Sequence, residues 1–264
     1  IASGAGAAAL QLAQHLDAPI VSSLHALGAI PTGDPHVMGM LGMHGTRATH
    51  LLLDQADVVF AIGSRFDDRA TGKVAEFCPQ ATIAHVDIDR AEIGKIKNPF
   101  LGVVGDADNV LARLNAQMTA SPLQTKPALA RAAWLAQAQA WRQRYPIRQP
   151  QRTTDPLHPT NLCAFLGEVL PVDALITTDV GQHQMWVAQC YPFRHPRTFL
   201  TSGGLGTMGF GLPAAIGAAL AAPGRRVVCI SGDGSFLMNM QELATLADHN
   251  LSVAVVIFNN SQLG

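Results

Sequence analysis

Short apolar runs recur along this chain, and most of them close on Gly, Ser, Asp or Asn. In the first half they are Ile20 to Ser22, Val58 to Ile62, Ile83 to Val86 and the pair Val103–Val104. In the second half they are Ala174 to Thr178, Thr198 to Thr201, Arg226 to Ile230 and Val253 to Phe258. Apolar runs of this length without polar alternation predict strands covered on both faces. Between them Ala and Leu fall at helical spacing. Strand and helix alternating from end to end predict an α/β protein built on doubly wound parallel sheets.

Breaks in the pattern divide the chain in three. Residues 1–120 read as one α/β domain, and the turn Gly4-Ala5-Gly6 opens its first helix without a preceding strand. Residues 121–157 hold Pro122, Pro127, Pro146, Pro150 and Pro156 around one helical stretch, Arg131 to Arg144. Such a segment reads as a linker with a single helix. Residues 158–264 read as a second α/β domain. The chain opens on what reads as a strand end and stops at Gly264, just past another strand, so both domains are expected to be truncated parts of a longer protein.

Composition narrows the partners. The chain has 264 residues, 48% apolar and 14% charged, enough for two buried cores. A net charge of −1, with no run of Lys or Arg, argues against nucleic acid and against a membrane surface. No apolar stretch approaches the ~20 residues that span a bilayer. Cys78, Cys163, Cys190 and Cys229 form no CxxC pair, which favours reduced thiols in a cytoplasmic protein over a disulfide or a zinc site.

The chemistry gathers between Arg226 and Asn260. A buried strand ends in Ser231-Gly232-Asp233-Gly234-Ser235, a helix follows through Phe236 and Leu243 to about Asp248, and a second buried strand ends in Asn259-Asn260. In a βαβ unit both strand ends lie on one carboxyl edge, which brings Asp233 to Asn260. A carboxylate, an amide oxygen and room for phosphate oxygens and water suit magnesium. The helix start near Ser235 favours an anion, and Gly232 and Gly234 let the backbone approach it. No Walker-type Lys is present, so a held diphosphate fits better than a transferred phosphate. Taken alone, Gly-Asp-Gly would read as an ordinary strand-to-helix turn with a capping Asp. Gly204-Leu205-Gly206-Thr207-Met208-Gly209 matches a dinucleotide fingerprint in letters, and Gly4-Ala5-Gly6 its looser form. Neither has the acid about 20 residues on that ribose binding needs, so a nicotinamide dehydrogenase is a distant alternative.

Gly232-Asp233-Gly234, then 24 residues, then Asn259-Asn260 resembles the signature of thiamine-diphosphate enzymes. Three further motifs narrow the resemblance to the catalytic large subunits of acetolactate synthase. They are Gly181-Gln182-His183-Gln184-Met185-Trp186, Ser202-Gly203-Gly204-Leu205-Gly206-Thr207-Met208-Gly209 and Arg65-Phe66-Asp67-Asp68-Arg69. The resemblance implies a diphosphate site at Gln182, His183, Gly232, Asp233, Gly234, Ser235 and Asn260, with magnesium on Asp233, Asn260 and the Gln262 carbonyl. It implies that Gly206 and Met208 hold the aminopyrimidine, Met208 propping the cofactor in its bent form.

For the first domain the resemblance implies FAD at Gly4, Ala5, Gly6, Ser23, Leu24, Leu41, Gly42, Met43, His44, Gly63, Arg65, Asp87, Ile88, Asp106 and Ala107. Asp87 and Asp106 read equally well as helix caps. The resemblance gives Arg69 the catalytic task of orienting a second 2-keto acid by its carboxylate. A guanidinium fork suits that task, although a lone Arg beside Asp68 is more often a weak surface ion pair. The implied reaction decarboxylates pyruvate and joins the two-carbon unit to pyruvate or 2-ketobutyrate, within branched-chain amino-acid synthesis. Implied partners are a homodimer or homotetramer of the full-length chain and a regulatory small subunit. The carboxylate that activates the cofactor lies outside this sequence, so the isolated stretch is expected to be inactive.

Overall fold

The computed structural model describes residues 2–121, 125–147 and 154–262; the side chains of residues 125–129 are outside the description. The chain forms two compact units. Unit 1 comprises residues 1–26 and 34–146, and unit 2 comprises residues 27–33 and 147–264.

Unit 1 runs α1 (Gly6–Leu16), β1 (Ile20–Ser22), β2 (Val37–Met40), α2 (Arg47–Gln55), β3 (Val58–Ile62), α3 (Asp68–Thr71), β4 (Thr82–Asp87), β5 (Leu101–Val104), α4 (Ala107–Ala120) and α5 (Thr125–Arg144). All its strand pairs are parallel: β1 with β2, and β3-β4-β5 in that order. Strand β2 was not expected, because Gly39 interrupts a four-residue run that offers little periodicity. Helix α1 packs Leu12 against Leu111 of α4, with Phe60 and Ile62 of β3 beneath. Helix α2 is capped by the Thr46 hydroxyl, which accepts from the Thr49 N–H at 2.9 Å, and it buries Leu52 and Leu53.

The helix within the Pro-rich stretch begins earlier than Arg131 and packs on unit 1. Ala138, with Trp134 and Trp141, meets Met38 and Leu52, and the Arg142 guanidinium donates to the Val37 carbonyl at 2.7 Å. The segments around Pro122 and Pro150 lie outside the described residues.

Unit 2 runs α6 (Pro159–Val169), β6 (Leu175–Thr178), α7 (Gln182–Cys190), β7 (Phe199–Thr201), α8 (Gly211–Ala221), β8 (Val227–Gly232), α9 (Asp233–Asn239), a 3₁₀ turn (Met240–Glu242), α10 (Leu243–Asp248) and β9 (Val253–Phe258). Its parallel sheet has the order β7-β6-β8-β9. The chain steps from β6 outward to β7, then crosses back over β6 to lay down β8 and β9. The order therefore reverses between β6 and β8, the place where doubly wound sheets bind ligands. Every β6 side chain is buried, as are those of Val227 to Ser231 in β8. Leu175, Leu212, Ile216, Val227, Cys229 and Leu246 form one cluster across the sheet and helices α8 and α10. Each such aliphatic side chain contributes about 1.5–3 kcal/mol through burial. The single helix expected after Gly-Asp-Gly is broken at Met240–Glu242, so α9 has only seven residues.

Candidate active site

Strands β8 and β9 pair in register, Ile230 to Val256 and Gly232 to Phe258. That register puts Asp233, the first residue of α9, beside Asn260, two residues beyond β9. Both line one cavity of ≈ 370 Å³ at the switch point, together with Gln182, His183, Trp186, Met208, Gly232, Gly234, Ser235, Phe258 and Gln262. Nine of the residues assigned to thiamine diphosphate or its metal in the sequence are thus brought to one place. Gly206 does not line the cavity; it sits two residues before Met208 with φ +73°.

Asp233 is half-buried, and its carboxylate has no hydrogen-bond or ion-pair partner among the described residues. The Asn260 amide is oriented at both ends. Its Nδ2 donates to Gln182 Oε1 at 3.3 Å, and its Oδ1 accepts the Gln262 N–H at 3.1 Å. A second lone pair of Oδ1 therefore remains for a cation, and the amide nitrogen of Gln182 remains to donate to an anion. No cluster of three His, Cys, Asp or Glu exists among the described residues. A divalent ion here would rest on one carboxylate and neutral oxygens, a donor set that suits magnesium better than zinc.

His183 is 4% exposed. Burial lowers its pKa, against the opposing pull of Asp179 and Asp233. The ring is hydrogen-bonded to the backbone carbonyl of Asp179, while the buried Nε2 has no partner among the described residues. With its N–H given to that carbonyl, the neutral ring presents Nε2 as an acceptor. The position of the ring explains one glycine: a Cβ on Gly232 would lie 2.9 Å from His183 Nδ1. Ser235 is buried and its hydroxyl donates to the Val180 carbonyl at 2.8 Å, so what it can offer an anion is its backbone N–H. Trp186 and Phe258 stand 6.0 Å apart and give the cavity an aromatic wall.

Two residues of this region were not singled out in the sequence. Asp179, 1% exposed, accepts from the N–H groups of Gly209 (2.6 Å) and Phe210 (3.1 Å), and from the Ser231 hydroxyl (3.1 Å). Asn239 donates to the Gly209 carbonyl at 2.6 Å. The only sequence signal for Asp179 is an acid closing a fully buried strand.

The residues assigned to FAD all lie in unit 1, on turns after its strands or at its helix starts. Gly63, Asp87 and Asp106 follow or end β3, β4 and β5; Ser23 and Leu41 follow β1 and β2. Met43 and Ile88 are 65% and 71% exposed there, apolar surface that a planar ligand would cover. Asp106 caps α4, accepting from the Asp108 and Asn109 N–H groups, and Asp87 accepts from Asp89 N–H. Both carboxylates are therefore partly spent on the backbone. Arg65 makes an exposed 3.7 Å ion pair with Asp67. Arg69 is exposed, and Asp68 takes its backbone N–H, while its guanidinium makes no ion pair among the described residues.

None of the described helices is long and apolar enough to cross a membrane. Residues 1–114 match the family description "Thiamine pyrophosphate enzyme, central domain", and residues 179–264 match "Thiamine pyrophosphate enzyme, C-terminal TPP binding domain". The chain is 50% identical to the acetolactate synthase isozyme 1 large subunit of Escherichia coli (strain K12), over 96% of this chain and 44% of that protein. It is 47% identical to the chloroplastic acetolactate synthase 2 of Nicotiana tabacum, over 93% of this chain and 37% of that one. It is 44% identical to a probable acetolactate synthase large subunit of Methanocaldococcus jannaschii, over the whole chain and 45% of that protein. The chain thus spans less than half the length of these relatives. With the cavity at the β6/β8 switch point and these matches together, the chain belongs to the thiamine pyrophosphate enzymes, as a homologue of acetolactate synthase large subunits.

Proposed function

We propose that the intact protein is an acetolactate synthase that takes pyruvate, releases carbon dioxide and joins the remaining two carbons to pyruvate or 2-ketobutyrate. The observation that carries this reading is the convergence of Asp233, Asn260, Gln182 and His183 on one cavity at a topological switch point. Asp233, the Asn260 amide oxygen and the Gln262 carbonyl would hold magnesium, and the Gln182 amide and the N–H groups of Gly234 and Ser235 would donate to a diphosphate. His183 would line the same wall, its Nε2 able to donate only when the ring takes up a second proton. Gly206 and Met208 support the aminopyrimidine. Met suits that contact because its side chain is bulky, apolar and adaptable. Thiamine diphosphate, when bound, supplies an acidic ring carbon and an electron sink for decarboxylation.

FAD occupies the carboxyl edge of unit 1, where exposed Met43 and Ile88 favour an apolar ligand surface. Arg69, whose guanidinium makes no ion pair among the described residues, orients the carboxylate of the second 2-keto acid. The protein works in the cytoplasm as a homodimer or homotetramer, with a regulatory small subunit. Leu237, Met238, Met240 and Leu243 lie close in sequence and are exposed, which supports burial against a second copy.

Expression of the full-length protein with pyruvate, magnesium, thiamine diphosphate and FAD tests this reading. The expected product is acetolactate without stoichiometric oxygen uptake, and Asp233→Ala is expected to lower the rate at least about 100-fold. Oxygen consumed in step with pyruvate would instead mark a flavin-dependent oxidase.

A further inference from the structure

The segment from Ser202 to Phe210, which carries Gly206 and Met208, joins β7 to α8. It is pinned at its far end by two side chains, one just past β6 and one on helix α9. The Gly209 and Phe210 N–H groups donate to Asp179 Oδ1, at 2.6 and 3.1 Å. The Gly209 carbonyl accepts from Asn239 Nδ2 at 2.6 Å. Both faces of the Met208–Gly209–Phe210 backbone are thereby held. Gly209 has φ +84°, and a Cβ there would lie 2.7 Å from Asn239 Nδ2, so the grip leaves no space for a side chain.

The two gripping residues are themselves built into the other end of the site. Asp179 directly follows β6, three residues before Gln182. Its backbone carbonyl holds the His183 ring, and its Oδ2 accepts from Ser231, the residue before Gly232. Asn239 is the last residue of α9, the helix that begins with Asp233. Neither side chain lines the cavity.

We propose that Asp179 and Asn239 are positioning residues that set the height of Met208 over the cavity floor. They tie the support for the pyrimidine end of the cofactor to the elements that hold its diphosphate end. The inference rests on the cofactor reading above. Without Asp179 the buried Gly209 N–H and the partly buried Phe210 N–H lose their acceptor, and the loop is released while the Asp233–Asn260 pair keeps its own supports. Asp179→Asn is isosteric: its Oδ1 still accepts from Gly209 and Phe210, and its new N–H can donate to Ser231.

The test uses the intact enzyme and two probes, thiamine diphosphate with magnesium and inorganic pyrophosphate with magnesium, which occupies the diphosphate end alone. Asp179→Ala is expected to raise the Kd for thiamine diphosphate about tenfold or more. Its Kd for magnesium pyrophosphate is expected to stay within about twofold. Amide hydrogen exchange at Gly209 and Phe210 should speed up about tenfold or more in the same variant. Asp179→Asn is expected to restore both readings. If Asp179→Ala does not fold, Asn239→Ala is expected to give the same selective loss. Equal weakening of both probes, or no change in either, would overturn the clamp. Wild-type enzyme that fails to bind thiamine diphosphate with magnesium would instead sink the cofactor reading itself.

Discussion

Asp233 and Asp179 are both acids at strand ends of one sheet, yet their surroundings give them opposite tasks. The half-buried Asp233 carboxylate has no partner among the described residues, whereas Asp179 is surrounded by donors and holds the chain. Asp233 was legible in the sequence because its partner Asn260 repeats a spacing imposed by one βαβ unit. Asp179 was not, because its partners lie 30, 31 and 52 positions away and no motif announces them. The buried thiols make a separate prediction at this scale. Burial pushes Cys163 up to about 12 and Cys229 up to about 11, from an ordinary 9.0. Above pH 9 the unfolded chain loses these protons while the folded chain keeps them, so the unfolded state gains. Stability is therefore full below pH 9 and falls as pH rises toward the folded values, by up to about 1.4 kcal/mol per pH unit for each thiol. Denaturant midpoints at pH 8 and pH 10 check this: Cys163→Ala is expected to shrink the alkaline drop, and an unchanged drop would contradict it.

At the scale of elements, pattern recovered most strands and lost the features set by contact. The bounds of Val253–Phe258 agree with the uninterrupted apolar run, but the strand is not buried as expected: it lies at the sheet edge, with Ala254 and Ile257 exposed. The break of the helix at Met240–Glu242 was not legible. There Asn239 turns to the Gly209 carbonyl, a tertiary bond that overrides the helical pattern. Likewise, the helix in the Pro-rich stretch was visible, but its seat against Met38 and Leu52 depends on a β2 strand that the pattern did not reveal. The junction of β8 and α9 offers a direct prediction. Gly232→Ala would place a Cβ 2.9 Å from His183 Nδ1, in surroundings where the ring cannot move freely. The ring is expected to be displaced, at a cost of about 1–3 kcal/mol in stability. Cofactor titration is expected to show at least about tenfold weaker thiamine diphosphate binding, and wild-type affinity in Gly232→Ala would count against His183 as part of the site.

For the whole molecule, the α/β class and the parallel sheets follow from strand–helix alternation, and the switch point follows from the order β7-β6-β8-β9. The sequence could name the residues at the cavity, but the strand order that gathers them is a property of the folded sheet. Unit 1 offers an edge with exposed apolar residues, and unit 2 a cavity with the Asp233 carboxylate and an oriented amide. The central claim is that this carboxylate and this amide share one divalent ion that clamps a diphosphate. The most direct measurement is anomalous scattering from crystals of the intact enzyme grown with manganese in place of magnesium and with thiamine diphosphate. The account predicts one strong peak within about 2.0–2.4 Å of the Asp233 carboxylate, the Asn260 amide oxygen and the Gln262 carbonyl. Manganese bound elsewhere, with Asp233 and Asn260 turned away from it, would contradict the account.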